Sequence, residues 1–586
     1  MINPMKKLLL AGKISDRQEV IELLRETEMV HVDPVQQVVI PAVLNEAIEN
    51  TRKVISLLQQ LNPDLKGKLA TPGTPSRLVE EALTHEKAIP EQRDKIIVLR
   101  QELDETSAWG NLGLKDVLWL EENGLKITFY RGPAADVAEL QAEFVTVITQ
   151  TGAFALFMTA SRQPVIASDK FTLVERPSRE PEEIMAEINV CLKIISEQHH
   201  SLACIAMRLP DIEVSYTKLL NRRRFTEVET GVHGDEELFV LTGWCPVDKI
   251  AELTASFEEA ELSVAIDFGD PAEDEVPPTS LKNSPWARSI QPLYDFMGMV
   301  PSYNEPDTSG LFLATLTVFS AFLLADAGYG LVVAIALLAA YKPLVSRGID
   351  RQLLHLGLFL FGGTAVYGLA TNSWFGEFWP LFSAHDFNPG SDSGMILLQG
   401  LCFLMGVCQL TVAHIIKARR RKLGLLLLSD TGWIMFLWAM YGVICQLVLK
   451  KSFVLPFEFV MPLFAISMVL ILLFTEPSLN PLKSIPAGVG AILQNATNCF
   501  SDIVSYIRLW AVGLAGGKVA GAFNNIAGML PFLLKIPVYV AGHGINIILG
   551  IIAILAHGVR LNLLEFSNHL ELDWSGRKYD PFKEIK

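Results

Sequence analysis

Residues 488–527 read GVGAILQNATNCFSDIVSYIRLWAVGLAGGKVAGAFNNIA. Only Asp502, Arg508 and Lys518 carry charge across these forty positions. A hydrocarbon core about 30 Å thick needs about 20 apolar residues of helix, so this stretch can cross a membrane with length to spare. Arg508 lies about twenty residues in, which at roughly 1.5 Å per residue is near mid-depth. A charge there is expensive and points to function. Its helical neighbours are Val504, Ser505, Ala511 and Val512, and Asp502, six positions back, falls off that face. The counter-charge must therefore come from another helix or another chain. Gly513, Gly517 and Gly521 recur every four positions, a stripe of small residues that lets another helix come close.

Working outward, six further apolar blocks have membrane length: 307–341, 353–375, 395–416, 424–449, 454–474 and 532–568. The last holds Arg560 with His557 three positions before it on the same face, while Glu565, at i+5, reads as off that face. Two deep arginines on adjacent long helices favour an ion pathway over side chains that merely snorkel to the surface. The basic clusters Lys417, Arg419, Arg420, Arg421, Lys422 and Lys342, Arg347, Arg351 read as cytoplasmic. The loop between them holds Glu377, Asp386 and Asp392 and reads as outside. Tracing back, block 307–341 must be a hairpin, with a break at Asp326, Gly328 and Gly330. That predicts eight crossings with both termini in the cytoplasm, and it places Lys450 and Lys451 outside.

The remainder is of a different kind. Of 586 residues with a net charge of −15, residues 1–300 hold 48 Asp and Glu against 30 Lys and Arg, while 301–586 hold 16 against 19. The acidic first half argues against a nucleic-acid partner. Seven scattered cysteines without a CxxC pair exclude a disulfide scaffold. The apolar run after Lys6 and Lys7 is too short for a signal peptide, so the first half is expected in the cytoplasm. Leu8–Leu10 reads as a strand and Asp16–Glu28 as a helix. Ile40, Leu44, Ala47, Thr51, Val54, Leu58 and Leu61 form a heptad seam, Pro63, Pro72, Gly73 and Pro75 break it, and Ile89, Ile96, Leu99 and Leu103 form a second seam. This predicts an antiparallel coiled-coil arm. Strands are expected at 126–130, 144–148, 153–159 and 171–175, a helix at 180–200, and a strand–helix–strand unit over 239–266.

The fold class expected is thus an α+β cytoplasmic domain over 1–300, two α/β lobes on the arm. An all-α polytopic membrane domain follows over 301–586, its last two helices long and tilted. No nucleotide or metal constellation is present: GGKV at 516–519 has Val512 where a phosphate-binding loop needs Gly, and His199–His200 lack partners at metal spacing. Neither a cofactor nor a resident metal is expected.

Six strings carry a resemblance, in order: GWCP (243–246), KNSPW with YDFMGMVPSYNEPD (294–307), DAGYGL (326–331), NSWFGE (372–377), SYIRLWAVGLA (505–515) and HGVRLNLLEF (557–566). Together they resemble the a-type (I) subunit of V-type and archaeal-type rotary ATPases, along essentially the whole chain. Two positions depart from the family pattern. Gly550 stands where members often carry a carboxylate about ten residues before the second arginine, and Ala325 replaces the usual Gly before Asp326. The resemblance implies a non-catalytic stator subunit in the cell membrane. Its partners would be a membrane rotor ring of proteolipid (c/K-type) subunits, peripheral stalk subunits, the central-stalk collar and the lipid bilayer. Arg508 would face the ring with Arg560 beside it and His557 tuning their surroundings, and Gly513, Gly517 and Gly521 would pack toward the ring. Gln494, Asn495, Asn498, Asp502, Glu565 and His569 would line the cytoplasmic access path; Asp326, Glu377, His414 and Gln446 are lesser candidates for transport. His543 and Asn546 are polar candidates near Gly550. A stand-alone ion-coupled transporter with a cytoplasmic regulatory domain is the alternative, and would call for inverted repeats among the spans, which the sequence lacks.

Overall fold

The computed structural model describes residues 2–61, 72–107, 109, 114–165, 167–175, 179–235, 237–378, 391–420, 424, 426–475 and 481–585. Pro63, Asp386, Arg421 and Lys422 lie outside the described residues. The chain divides into two compact units, one of Met1–Ala11, Met29–Val32 and Thr242–Pro581, the other of Gly12–Glu28, Asp33–Leu241 and Phe582–Lys586.

Strands β1 (Met5–Lys13), β2 (His31–Asp33), β8 (Leu238–Pro246) and β9 (Val264–Gly269) form one sheet in the order β2-β8-β1-β9, with α7 (Ile250–Glu259) between β8 and β9. Gly243 of the GWCP string allows the close pairing of β8 with β2: a Cβ there would stand 2.7 Å from the His31 carbonyl oxygen.

The second unit opens with α1 (Arg17–Thr27), then α2 (Ala42–Gln60), α3 (Pro75–Ser107) and α4 (Leu114–Glu122). β3 (Lys126–Pro133), β4 (Phe144–Thr151), β5 (Phe154–Ser161) and β6 (Thr172–Val174) form an antiparallel sheet in the order β4-β5-β3-β6. α5 (Pro181–Ala206) and α6 (Leu209–Gly231) follow, with β7 (His233–Gly234) pairing onto β8. The heptad residues Leu44, Thr51, Val54 and Leu58 are buried as expected, with Ile48 taking the seam place assigned to Ala47. The seams do not close on each other as a two-stranded coiled coil. Ile96 and Leu99 of α3 pack on Ile184, Ile188 and Cys191 of α5. Lower down, Val54 and Leu58, Leu78 to Ile89, Leu202 to Ala206 and Ile212 share one core. Partners such as Lys95–Glu187 (2.7 Å) and Arg179–Glu102 (3.1 Å) show α3 and α5 to be antiparallel. The arm is therefore a helical bundle of α2, α3, α5 and α6. The expected α2 seam was one side of a shared core, and heptad spacing alone does not name the partner helix.

The membrane half belongs to the first unit. After α8 (Gln291–Met297) come α9 (Ser309–Leu324), α10 (Ala327–Ser346), α11 (Arg351–Thr371), α12 (Asp392–Arg420), α13 (Leu426–Ile444) and α14 (Val460–Phe474). α15 (Pro481–Ser505) and α16 (Ile507–Gly528) are separated only by Tyr506, and α17 (Phe532–Ala553) continues through two π-helical stretches, Ile554–Gly558 and Leu561–Phe566, toward Leu570. Among the described residues, seven stretches are long and apolar enough to cross a membrane, including Gly488–Gly528 (41 residues) and Phe532–Leu570 (39 residues). The eighth expected crossing, α9, is apolar but has 16 residues. The chain does turn back at 325–326: Thr317 and Phe322 of α9 and Leu337 and Gly330 of α10 meet α11 in opposite order along its length. Ala325 takes a left-handed φ of 49° there, and Asp326 caps α10 by accepting from Tyr329 N at 3.1 Å. Its other oxygen accepts from Gly376 N at 2.8 Å, so DAGYGL and NSWFGE meet in one contact. Gly376 supplies the positive φ (78°) that this turn requires. Asp326 is a structural cap with its oxygens occupied.

Candidate ion-pathway site

α16 and the last helix carry the two arginines. Arg508 Nη2 lies 3.6 Å and Arg560 Nε 3.8 Å from the same oxygen, Glu565 Oε1. The Glu565 side chain is 5% exposed, whereas Arg508 and Arg560 are 31% and 50% exposed. The counter-charge of Arg508 thus comes from another helix, as the sequence required. The reading that Glu565 lies off the Arg560 face is corrected. Residues 561–566 are π-helical, and an i→i+5 repeat returns Glu565 to the side of Arg560. His557 sits in the preceding π stretch.

Beneath this cluster runs a buried polar relay. Tyr506 OH donates to Gln409 Oε1 (2.7 Å), Gln409 Nε2 donates to Asn562 Oδ1 (2.8 Å), and Thr315 OH donates to the same oxygen (2.6 Å). These bonds tie α9, α12, the α15–α16 junction and the last helix together. Gln409 and Asn562 were missed in the sequence, although a buried amide inside an apolar block is itself a signal.

A cavity of about 310 Å³ is lined by His414, Lys417, Asn495, Asn498, Asp502, His569 and Glu571, among others. His569 Nε2 is 3.1 Å from Asp502 Oδ2, and His414 Nε2 is 3.1 Å from His569 Nδ1. With Nε2–H of His569 donating to the carboxylate, its Nδ1 accepts from His414, a continuous donor chain. Asn498, Asp502 and His569 are thus brought together, while Gln494 is exposed on α15 and does not line this cavity. A second cavity of about 210 Å³ follows Arg508 along α16, lined by Trp510, Gly513, Gly517 and Lys518 with Phe322, Ser373 and Glu377. Near it, Tyr329 OH is 2.7 Å from His543 Nδ1, and Asn546 Nδ2 donates to Tyr329 OH at 3.0 Å.

The glycine stripe meets neighbours within this chain at Gly513 and Gly521, while a Cβ on Gly517 would meet open space. A Cβ on Gly513 would stand 2.2 Å from the Phe322 carbonyl oxygen, and Gly376 abuts Gly517 and Gly521. Gly513 lets α9, and the backbone at Gly517 and Gly521 lets the 372–377 turn, approach α16. The exposed face of α16, where Arg508 emerges, carries Ala511, Ala515 and Ala522 instead. These too are small, but they lie one residue or two away on the helical wheel.

No protein-family model matches the chain. V-type ATP synthase subunit I of Borreliella burgdorferi is 27% identical over 623 residues, covering all of both chains. Along its whole length the chain is similar to V-type ATP synthase subunit I. Subunit I 1 of the V-type ATP synthase of Treponema pallidum is 26% identical, again over the whole of both chains. Among solved structures, the cytoplasmic N-terminal domain of subunit I, homolog of subunit a, of V-ATPase aligns with 45% of this chain and 99% of its own, at 15% identity and a TM-score of 0.17. With seven apolar spans among its described residues, the chain is a multi-pass membrane protein.

Proposed function

We propose that this chain is the stator of a rotary V-type ATPase, coupling proton or sodium movement to ATP hydrolysis or synthesis. The observation that carries the reading is the Arg508–Glu565–Arg560 cluster, set between two cavities that lie before and after Arg508 along one helix. One carboxylate between two guanidinium groups leaves the cluster with a net charge of about +1. A guanidinium stays charged at any working pH, so this charge stabilises an ionised carboxylate brought opposite it and favours release of its ion. It also repels a cation that would pass directly. Ions must then enter through one cavity and leave through the other, and the ring must turn to connect them.

In this reading the cavity with Asp502, His569 and His414 is the cytoplasmic half-channel, and the cavity with Glu377 belongs to the outer one. Both termini lie in the cytoplasm, in keeping with the basic stretches Lys417–Arg420 and Lys342–Arg351 on one side. Residues 1–300 are a mechanical, non-catalytic anchor for peripheral stalks and the central-stalk collar, and 301–586 the translocating part. The partner of the exposed α16 face is a ring of proteolipid subunits, for which the alanines leave room. Disulfide trapping tests this. Ala515→Cys should cross-link to a cysteine placed beside the ring carboxylate in the assembled complex, and a cysteine at Leu473, exposed on α14, should not. Efficient trapping from Leu473 and none from Ala515 would contradict the assignment.

A further inference from the structure

A third cavity, of about 330 Å³, shares no lining residue with the arginine site. Its wall is made by Thr279, Asn283, Arg288 and Asp295, by Gln352 at the start of α11, and by Lys578 of the C-terminal tail. The tail is pinned there: Arg577–Lys578 pairs in parallel with Pro278–Thr279, Gly576 N donates to Val300 O at 3.0 Å, and Tyr579 N to Thr279 O at 3.1 Å. Two of the lining side chains are buried with a polar atom that has no partner, the amide nitrogen of Asn283 (6% exposed) and the hydroxyl of Thr279 (4% exposed). Such orphans are uncommon and costly, and they call for something to bond.

The chemistry of the lining selects an anion. The unused nitrogen of Asn283 can only donate, and the Thr279 hydroxyl can donate as well. Arg288 spends its Nε on the Asn283 carbonyl oxygen at 2.9 Å, which orients the guanidinium at the cavity wall. Lys578 bonds Asp295 Oδ1 at 2.6 Å. Two cations against one carboxylate leave a net positive charge, which disfavours a cation site. We propose that this cavity binds one phosphate group, held by Arg288, Lys578, Asn283 and Thr279, and that the bound group clamps the C-terminal tail to the segment leading into α9. Arginine and lysine with short neutral donors are suited to a tetrahedral oxyanion. The same segment exposes Trp286, Phe296 and Met297. Aromatic residues of that kind sit at headgroup level in membrane proteins, so a phospholipid headgroup and free phosphate are the two sources of this chemistry.

The full chain is placed in nanodiscs of phosphatidylcholine alone or mixed with phosphatidylglycerol, and lipid retained after delipidation is counted by native mass spectrometry. In a second arm, inorganic phosphate is titrated into detergent-solubilised chain while the unfolding midpoint is followed. Retention of one phosphatidylglycerol with no effect of phosphate assigns the headgroup, and a saturable midpoint rise with phosphate assigns the free anion. In either case Arg288→Gln and Asn283→Ala should weaken binding by about tenfold or more, the usual effect of losing a hydrogen bond to a charged group. Lys282→Gln, which removes a charge bound to Asp248 outside the cavity, should leave it unchanged. Arg288 is exposed, so Arg288→Gln is expected to fold even if Asn283→Ala does not. Binding that survives in folded Arg288→Gln, or no response to either probe, would overturn the proposal and leave a cavity filled by water.

Discussion

Glu565 is the residue on which the electrostatics of the membrane half turns. Its single oxygen Oε1 faces both guanidinium groups, and its other oxygen is buried without a hydrogen-bond partner. Glu565→Gln keeps the shape and removes the charge, so two arginines on neighbouring helices would confront each other with nothing between them. The expected outcome is a loss of roughly 1–3 kcal/mol in unfolding free energy, discounted from the buried-pair range because both arginines are partly exposed. Coupled ion transport should fall by at least about tenfold. Unfolding midpoints and ATP-driven uptake measured on the same preparation check this. Wild-type coupling with a lowered midpoint would mean that Glu565 only holds the helices together.

At the scale of elements, the arm gives a pH-dependent contact. Glu187 of α5 is held below the ordinary carboxylate range by hydrogen bonds from Lys95 and then Arg179, and Lys95 is raised in turn by Glu187. A lowered carboxylate stabilises the fold above its unfolded value of about 4.3 and loses that contribution as pH falls through the lowered value. Protection of the α5 amides in the full chain, taken against the intrinsic exchange rate at each pH, should therefore fall on acidification below about pH 4, and Glu187→Gln should flatten that response. An acid response of full size in Glu187→Gln would show that another group carries it. Much of this level was legible in the sequence. Proline and glycine marked the break after α2, burial followed the seam residues, and forty-residue apolar blocks became the two longest spans. What escaped has physical causes. A seam states that a face is buried and not against which helix, so α3 was paired with α2 rather than α5. A repeat of 3.6 cannot anticipate a π stretch, so Glu565 was set off the arginine face. Glycines every four positions announce a close helix but not whether it belongs to the same chain.

For the molecule as a whole, the placement of charge is the connecting theme. The acidic half keeps its ion pairs at the surface, where each is worth little, as with Lys170 bridging Asp136 and Glu139. In the membrane half one carboxylate and two arginines gather in a single cluster, with a polar cavity before Arg508 and a largely apolar one after it. Asp502 and His414 stand in two separate apolar blocks of the sequence and His569 just past a third, and the packing of α12, α15 and the last helix joins them. The departure at Gly550 also has a structural setting: a Cβ there would meet the Leu324 side chain at 2.5 Å, and polar groups of the neighbourhood come instead from Tyr329, His543 and Asn546. The central claim is that Arg508 is the fixed charge of a stator, and it is tested most directly by ATP-driven ion uptake into vesicles holding the assembled complex, wild type against Arg508→Ala, with and without sodium. The account predicts intact assembly, uptake reduced to background and ATP hydrolysis no longer coupled to it, with the sodium dependence of the wild type naming the ion. An Arg508→Ala complex that assembles and pumps as the wild type does would contradict it.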